Sequence, residues 1–274
     1  MKALDIEFIK GFVRLMDDGS RKGWHERNGG NLSYRLKDED VQKIKPYFKY
    51  EQTWSPINTV VESLRNEYFL VTGTGKFMRN AKIKTEETIG IIEIDDLGSN
   101  YRILWGLIGG NKPTSELPTH LLNHAVKKRV AHNTHRVIYH AHTTNIIALT
   151  FVLPLDNDIF TRELWEMATE CPVVFPDGVG VVPWMVPGGE AIGVETSKLM
   201  EKYNVAIWAH HGTFCSGDDF DITFGLMDTV EKAAEILVKV LSITPQKRQT
   251  ITTENFQDLA QAFHVTLNEG ALKK

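Results

Sequence analysis

Apolar residues at Ile9, Phe12, Val13 and Met16 recur at i, i+3, i+4 and i+7, which predicts an amphipathic helix near the start, punctuated by Gly19 and Ser20. From about Asp221 a longer stripe of Phe224, Met227, Val230, Ala234, Leu237, Val238 and Leu241 predicts a long helix. Phe256, Leu259, Ala260 and Phe263 predict a last one within 253–265. Between them, 67–73, 89–95 and 101–107 alternate or are β-branched, bounded by Gly, Asp and Asn, and read as strands. A helix is expected over 114–130, with Thr114 and Ser115 as caps and Pro118 in the first turn, where a missing N–H does no harm. Strand 136–142 then leads into a helix-like 143–153, the stretch 173–188 is extended and turn-rich, and a further strand is expected over 204–211. Strands and helices interleave without strict alternation. The expected fold is therefore α/β of the α+β kind, a central mixed or antiparallel sheet covered by helices.

Composition narrows the class. A chain of 274 residues can bury a sizeable core in one domain, here taken as 1–274. The segment 38–60 is polar, holds Pro46 and Pro56 and has weak periodicity, so the region 38–66 reads as an appended lobe or mobile excursion. A formal charge of −4 excludes a general nucleic-acid surface, so any phosphate site must be built locally. Cys171 and Cys215 are too few for a disulfide framework and read as reduced thiols in a cytoplasm. The start mixes charge into its apolar positions, unlike a signal peptide, and the longest apolar run, 146–155, is broken by Thr150 and Pro154. That run falls short of the roughly 20 residues a membrane span needs, so no membrane partner is expected.

The candidate chemistry starts at 137-VIYHAHTTN-145. Residues two apart in a strand share a face, so His140 and His142 can converge on one ion. A second apolar strand ends in His210-His211-Gly212, where the glycine lets the chain turn sharply. Three histidines from two strands, with positions left open, form a catalytic rather than a closed structural metal site. Alternation alone does not choose between His210 and His211. Glu116, His120 and His124, spaced four apart, share one helix face. They compete as ligands, although Glu116 more naturally projects from the helix start while the histidines pack or face solvent.

Three segments suit an oxyanion: Asn28-Gly29-Gly30-Asn31, Thr72-Gly73-Thr74-Gly75-Lys76, and Thr114-Ser115 at a helix N-terminus. The second is not a Walker A loop, because Leu70 stands at the first glycine position and Phe77 follows the lysine. Together with a metal, these loops point to a phosphorylated small molecule.

The motifs RNGGN, TGTGK, TSELPTH, HAHTTN, LWEMATEC and HHGTF, in this order and at these separations, resemble the class II aldolase/adducin-head family over nearly the whole chain. The resemblance implies a Zn2+-dependent, reversible retro-aldol cleavage of L-rhamnulose 1-phosphate to dihydroxyacetone phosphate and L-lactaldehyde. It also implies a homotetramer with active sites at subunit contacts. Carried over position by position, it makes His140, His142 and His211 the zinc ligands and Glu116 the catalytic glutamate. Asn28, Gly30, Asn31, Thr74, Gly75, Thr114 and Ser115 become phosphate contacts. Glu170 becomes a second catalytic glutamate; without the resemblance, Glu163, Glu166 and Glu170 pass for a solvated helix face. The same scaffold carries L-fuculose-1-phosphate aldolase and L-ribulose-5-phosphate 4-epimerase activities, a more distant dehydratase, and a non-catalytic adducin-like head. The last of these predicts loss of the ligand histidines.

Overall fold

The computed structural model describes residues 2–273. Nine strands make one sheet: β1 (Asn31–Arg35), β2 (Ser55–Pro56), β3 (Tyr68–Thr72), β4 (Ile89–Ile94), β5 (Asn100–Gly106), β6 (Val137–Ala141), β7 (Gly180–Val182), β8 (Val205–Trp208) and β9 (Gly212–Gly217). Their spatial order is β2-β5-β4-β3-β1-β6-β9-β8-β7. Every pairing is antiparallel except β7 on β8, so the sheet is mixed, as the interleaved pattern predicts.

The two faces bury different sets. Val137, Tyr139 and Ala141 of β6 join Phe12 and Met16 of helix Glu7–Arg21 and Val230 and Leu237 of helix Phe220–Ile243. Ile138, one residue out of phase, packs instead with Phe214, Trp208 and Ile192. Helix Leu117–Val130 covers that second face, its Leu117 and Leu121 lying on Phe69, Val71 and Ile92. Each fully buried Val, Leu, Ile, Phe or Met among them contributes about 1.5–3 kcal/mol from removal of water. The period of two along a strand thus decides which residues reach the site face.

Three local expectations need correction. Helix Glu7–Arg21 runs through Gly19 and Ser20. Gly19 is there for contact, since a Cβ would lie 2.1 Å from the Tyr139 hydroxyl and 2.5 Å from His25 Nε2. The helix expected over 143–153 closes early, as Thr144–Leu149. The face with Glu163 and Glu166 is not free in solvent, because Arg162 and Lys247 both bond to Glu166.

Residues 38–66 form helix Asp38–Ile44, a 3-10 turn at Lys45–Tyr47 and the short edge strand β2, which pairs with β5 through Ser55 and Tyr101. The Arg102 guanidinium lies 5.2 Å from the Tyr50 ring and 4.7 Å from the Trp54 ring, joining this region to β5. Cys171 and Cys215 are buried free thiols, and burial pushes Cys171 up to about 12, out of the reactive range. Among the described residues no helix is long and apolar enough to cross a membrane.

Candidate metal and catalytic centre

The site is assembled on β6. Register sets His140 opposite Asn31 of β1 on one side and Phe214 of β9 on the other. The His140 ring stacks on Phe214 at 4.2 Å between centroids. His142 follows two residues later, its backbone N–H held by the Trp24 carbonyl at 3.1 Å. The hairpin between β8 and β9 supplies the third imidazole. At its tip His210 takes the left-handed conformation, with φ 62°. Its Nδ1 lies 3.1 Å from the Thr150 hydroxyl and its ring packs against Phe151. His211 is the one that faces His140 and His142, which resolves the choice that alternation left open. The ligand atoms of His140, His142 and His211 all lie within 4.8 Å of one another.

This arrangement fits a metal ion. His140 Nδ1–H donates to the Thr213 carbonyl at 3.1 Å, which leaves Nε2 as a bare lone pair. That Nε2 is buried and has no partner among the described residues. His142 Nδ1 is taken by the Glu26 carboxylate, the outer carboxylate that commonly orients a ligating histidine. Burial holds His140 well below the usual histidine range and lowers His211 to about 4, so both rings are neutral and can donate lone pairs. Imidazole ligands bring no negative charge, so the charge of an ion held by the three rings would be left uncompensated.

The glycines near this centre are explained by space. A Cβ on Gly29 would come within 2.8 Å of the His142 ring, and one on Gly30 within 2.4 Å of His25 Nδ1 and 2.7 Å of the His140 carbonyl. Gly30 also has φ 73°, a conformation that favours glycine. Gly212 does not make the turn. It begins β9, and a Cβ there would lie 2.4 Å from the Ala141 carbonyl. His25 anchors the Gly29–Gly30 loop: its Nδ1–H donates to the Gly29 carbonyl at 3.1 Å, and its Nε2 accepts from the Tyr139 hydroxyl at 2.7 Å.

Glu116 approaches from the helix side. It is the residue preceding helix Leu117–Val130, and its Oε2 lies 3.8 Å from His140 Nε2. Burial raises its carboxyl above the usual range, opposed by an N–H from Asn31 Nδ2 at 2.8 Å. Neither Thr114 nor Ser115 caps the helix, although Thr114 Oγ1 accepts the Glu116 N–H at 3.3 Å. His120 and His124 are fully buried, neither ligands nor solvent-facing, and Ser33 Oγ joins them at 2.7 and 2.8 Å.

The oxyanion segments converge at the same place. Gly73 and Pro113 form a bridge, with the Thr74 N–H on the Lys112 carbonyl and the Thr114 N–H on the Thr72 carbonyl. Those two amides are consumed by the pairing. The N–H groups of Gly75 and Ser115 and the hydroxyls of Thr74 and Ser115 have no partner among the described residues and face solvent. Asn28 is exposed beside Gly29. Glu170 stands apart: it is exposed at the start of helix Cys171–Val174, and among the described residues no hydrogen bond or ion pair joins it to the histidines or Glu116.

The description "Class II Aldolase and Adducin N-terminal domain" fits residues 11–238 of this sequence. The chain belongs to the class II aldolase and adducin family. Within that family, the rhamnulose-1-phosphate aldolase of Mannheimia succiniciproducens is 51% identical over 265 residues, spanning 97% of each chain. The rhamnulose-1-phosphate aldolase of Klebsiella pneumoniae subsp. pneumoniae is 45% identical, covering 98% of this chain and 97% of that one. A sugar-phosphate aldolase from Thermotoga maritima has a similar structure, with TM-score 0.76, 28% identity, and coverage of 88% of this chain and 97% of its own. These relatives place the chain among the enzymes of the class II aldolase family.

Sequence reasoning did not find Glu26, His25 or Ser33. Glu26 is one residue before the RNGGN motif, and only the fold brings it to His142. Ser33 shares the strand face of Asn31 by the period of two, a signal that becomes readable once His120 is known to be buried.

Proposed function

We propose that this class II aldolase reversibly cleaves L-rhamnulose 1-phosphate to dihydroxyacetone phosphate and L-lactaldehyde, using zinc held by His140, His142 and His211. The observation that carries the proposal is the three-histidine cluster with the buried Glu116 carboxylate beside its empty-handed Nε2. Full-length likeness to relatives that bear the rhamnulose-1-phosphate aldolase name supports the substrate. When bound, zinc supplies Lewis acidity toward the substrate's carbonyl and hydroxyl oxygens.

The chain's own groups do the rest. In condensation Glu116 removes the proton from the carbon of dihydroxyacetone phosphate that bears the hydroxyl, and in cleavage it returns a proton there. A positioned base of this kind contributes about 10²–10⁴ in rate. Its raised pKa, set by burial, brings it nearer the working pH. The Gly75 and Ser115 N–H groups, with the Thr74 and Ser115 hydroxyls, are the donors for the phosphate, joined by Asn28, Gly30, Asn31 and Thr114 at the loop edges. Fixing that end sets the reacting carbons in register with Glu116. In cleavage a second base takes the proton of the C4 hydroxyl. Glu170 lies outside the cluster of its own chain, so we assign it this role at the site of a neighbouring subunit in a homotetramer. We take the chain as a single domain, with 38–66 as an appended lobe, acting in the cytoplasm.

The test is cleavage of L-rhamnulose 1-phosphate, with dihydroxyacetone phosphate read by a coupled NADH assay, before chelation, after it, and after zinc return. L-fuculose 1-phosphate and L-ribulose 5-phosphate run alongside. Zinc-restorable cleavage that favours the rhamnulose ester is the expected result. Inert behaviour of zinc-loaded protein toward it, with turnover of either other ester, would replace the substrate assignment.

A further inference from the structure

The face of helix Leu117–Val130 that carries His120 and His124, continued by Glu116 just before the helix, meets the face of β1 that carries Asn31 and Ser33. Positions four apart on a helix rise about 6 Å, and positions two apart on a strand about 7 Å. The two rows therefore interdigitate, and the side chains form one alternating line. From the site inward it runs Glu116, Asn31, His120, Ser33, His124. Asn31 Nδ2 donates to Glu116 at 2.8 Å, Asn31 Oδ1 meets His120 Nε2, and Ser33 Oγ lies 2.7 Å from His120 Nδ1 and 2.8 Å from His124 Nε2.

Donor and acceptor accounting gives this line a direction. Both histidines are fully buried, and burial holds them far below their ordinary range, His120 at about 3, so each has one N–H and one lone pair. The innermost atom, His124 Nδ1, has no partner among the described residues. A buried N–H left unpaired is the rarer and more costly state than an unpaired lone pair, so the His124 proton sits on Nε2 and donates to Ser33. Ser33 O–H must then donate to His120 Nδ1, which places the His120 proton on Nε2, facing Asn31 Oδ1. The amide of Asn31 is thereby fixed with its NH2 toward Glu116. The reverse direction would turn an amide oxygen toward the carboxylate and strand an N–H in the core.

The geometry points to His120, Ser33 and His124 as positioning residues of the aldol reaction, acting through the orientation of the Asn31 amide to hold Glu116 in place. This inference rests on the reading of Glu116 as the base. None of the three is a metal ligand or reaches substrate.

Four variants test it in the zinc-loaded enzyme: Ser33→Ala, His124→Phe, His124→Gln and Glu116→Gln. Ser33→Ala and His124→Phe should keep full zinc content and lower kcat by about 10-fold, the low end of the 10–100-fold range for direct outer partners because the effect reaches Glu116 through His120 and Asn31, with KM little changed. His124→Gln, which restores an N–H donor toward Ser33, should recover most of kcat. In 15N spectra of histidine-labelled protein, His120 should be the Nε2–H tautomer in the parent and lose that bias in Ser33→Ala. If Glu116→Gln is inactive while Ser33→Ala and His124→Phe both keep kcat within about twofold of the parent, the inference is overturned and the base stands. Normal turnover by Glu116→Gln would instead remove the base, and this inference with it. If His124→Phe does not fold, Ser33→Ala decides alone.

Discussion

The loop that carries Asn28 to Asn31 is pressed against His140 and His142 of the histidine cluster, and a pair of glycine substitutions measures how closely. Gly30→Ala and Gly75→Ala both place a methyl group on a residue with positive φ, 73° and 66° respectively. Left-handed backbone costs an L-residue about 1–2 kcal/mol, and both variants bear it. Only Gly30→Ala adds a collision: its Cβ would lie 2.4 Å from His25 Nδ1 and 2.7 Å from the His140 carbonyl, whereas nothing lies within 4 Å of a Cβ on Gly75. Overpacking of this kind costs about 1–3 kcal/mol more. Gly30→Ala should therefore destabilise by roughly 2–5 kcal/mol and Gly75→Ala by roughly 1–2. Urea unfolding followed by tryptophan fluorescence at matched protein concentration reads the difference. On the zinc assignment proposed above, Gly30→Ala should also weaken metal retention, because the methyl group pushes on the carbonyl of His140. Equal destabilisation by the two substitutions, with zinc retained in both, would refute the close approach.

Other consequences are as direct. His142→Ala removes one of three clustered imidazoles and should lose zinc and activity together; a fully active, zinc-free variant counts against the metal assignment. Glu116→Gln should keep fold and zinc while kcat drops by about 10²–10⁴, and near-normal kcat removes it as the base. His25 is held at about 4 by burial, against 6.5 in an unfolded chain, so the fold favours its neutral form. The stability it contributes is complete above pH 6.5 and is lost as pH falls through about 4, a difference of roughly 3 kcal/mol. Urea midpoints measured from pH 7 to 4.5 should therefore converge between the parent and His25→Gln. Parallel curves would show that His25 titrates normally.

The elements were legible where one periodicity ran undisturbed. Helix Phe220–Ile243 and the meander β3–β4–β5 sit where the apolar pattern put them. The pattern failed where packing overrode local signals. Gly19 looks like punctuation in sequence, yet it lies inside a helix because Tyr139 and His25 leave no room for a side chain. Gly212 looks like a turn, but the left-handed residue is His210, and the glycine serves the approach of β9 to β6. Strand β9 itself went unseen. Its sequence, GTFCSG, has weak strand propensity and forms a strand because β6 and β8 pair with it on both sides.

The site divides in the same way, and the division has a physical reason. His140 and His142 announce themselves because both come from one strand and share its period of two. His211 is legible as one of a pair, and its choice over His210 depends on a hairpin geometry that no local pattern encodes. The partners of these groups come from distant segments. Glu26 is 116 positions from His142, and Ser33 is 91 from His124. Such contacts exist only after the sheet has brought β1 beside β6, with Asn31 opposite His140. That register carries the whole centre. A slip of one residue in β1 would turn Asn31 and Ser33 to the opposite face, toward Tyr139 and the first helix. The histidines would remain in sequence, but Glu116 would lose its donor, and His120 and His124 would be buried without one. The polar line from Glu116 to His124 therefore works in both directions. The fold orders it, and the cost of leaving it unpaired penalises every other register of β1.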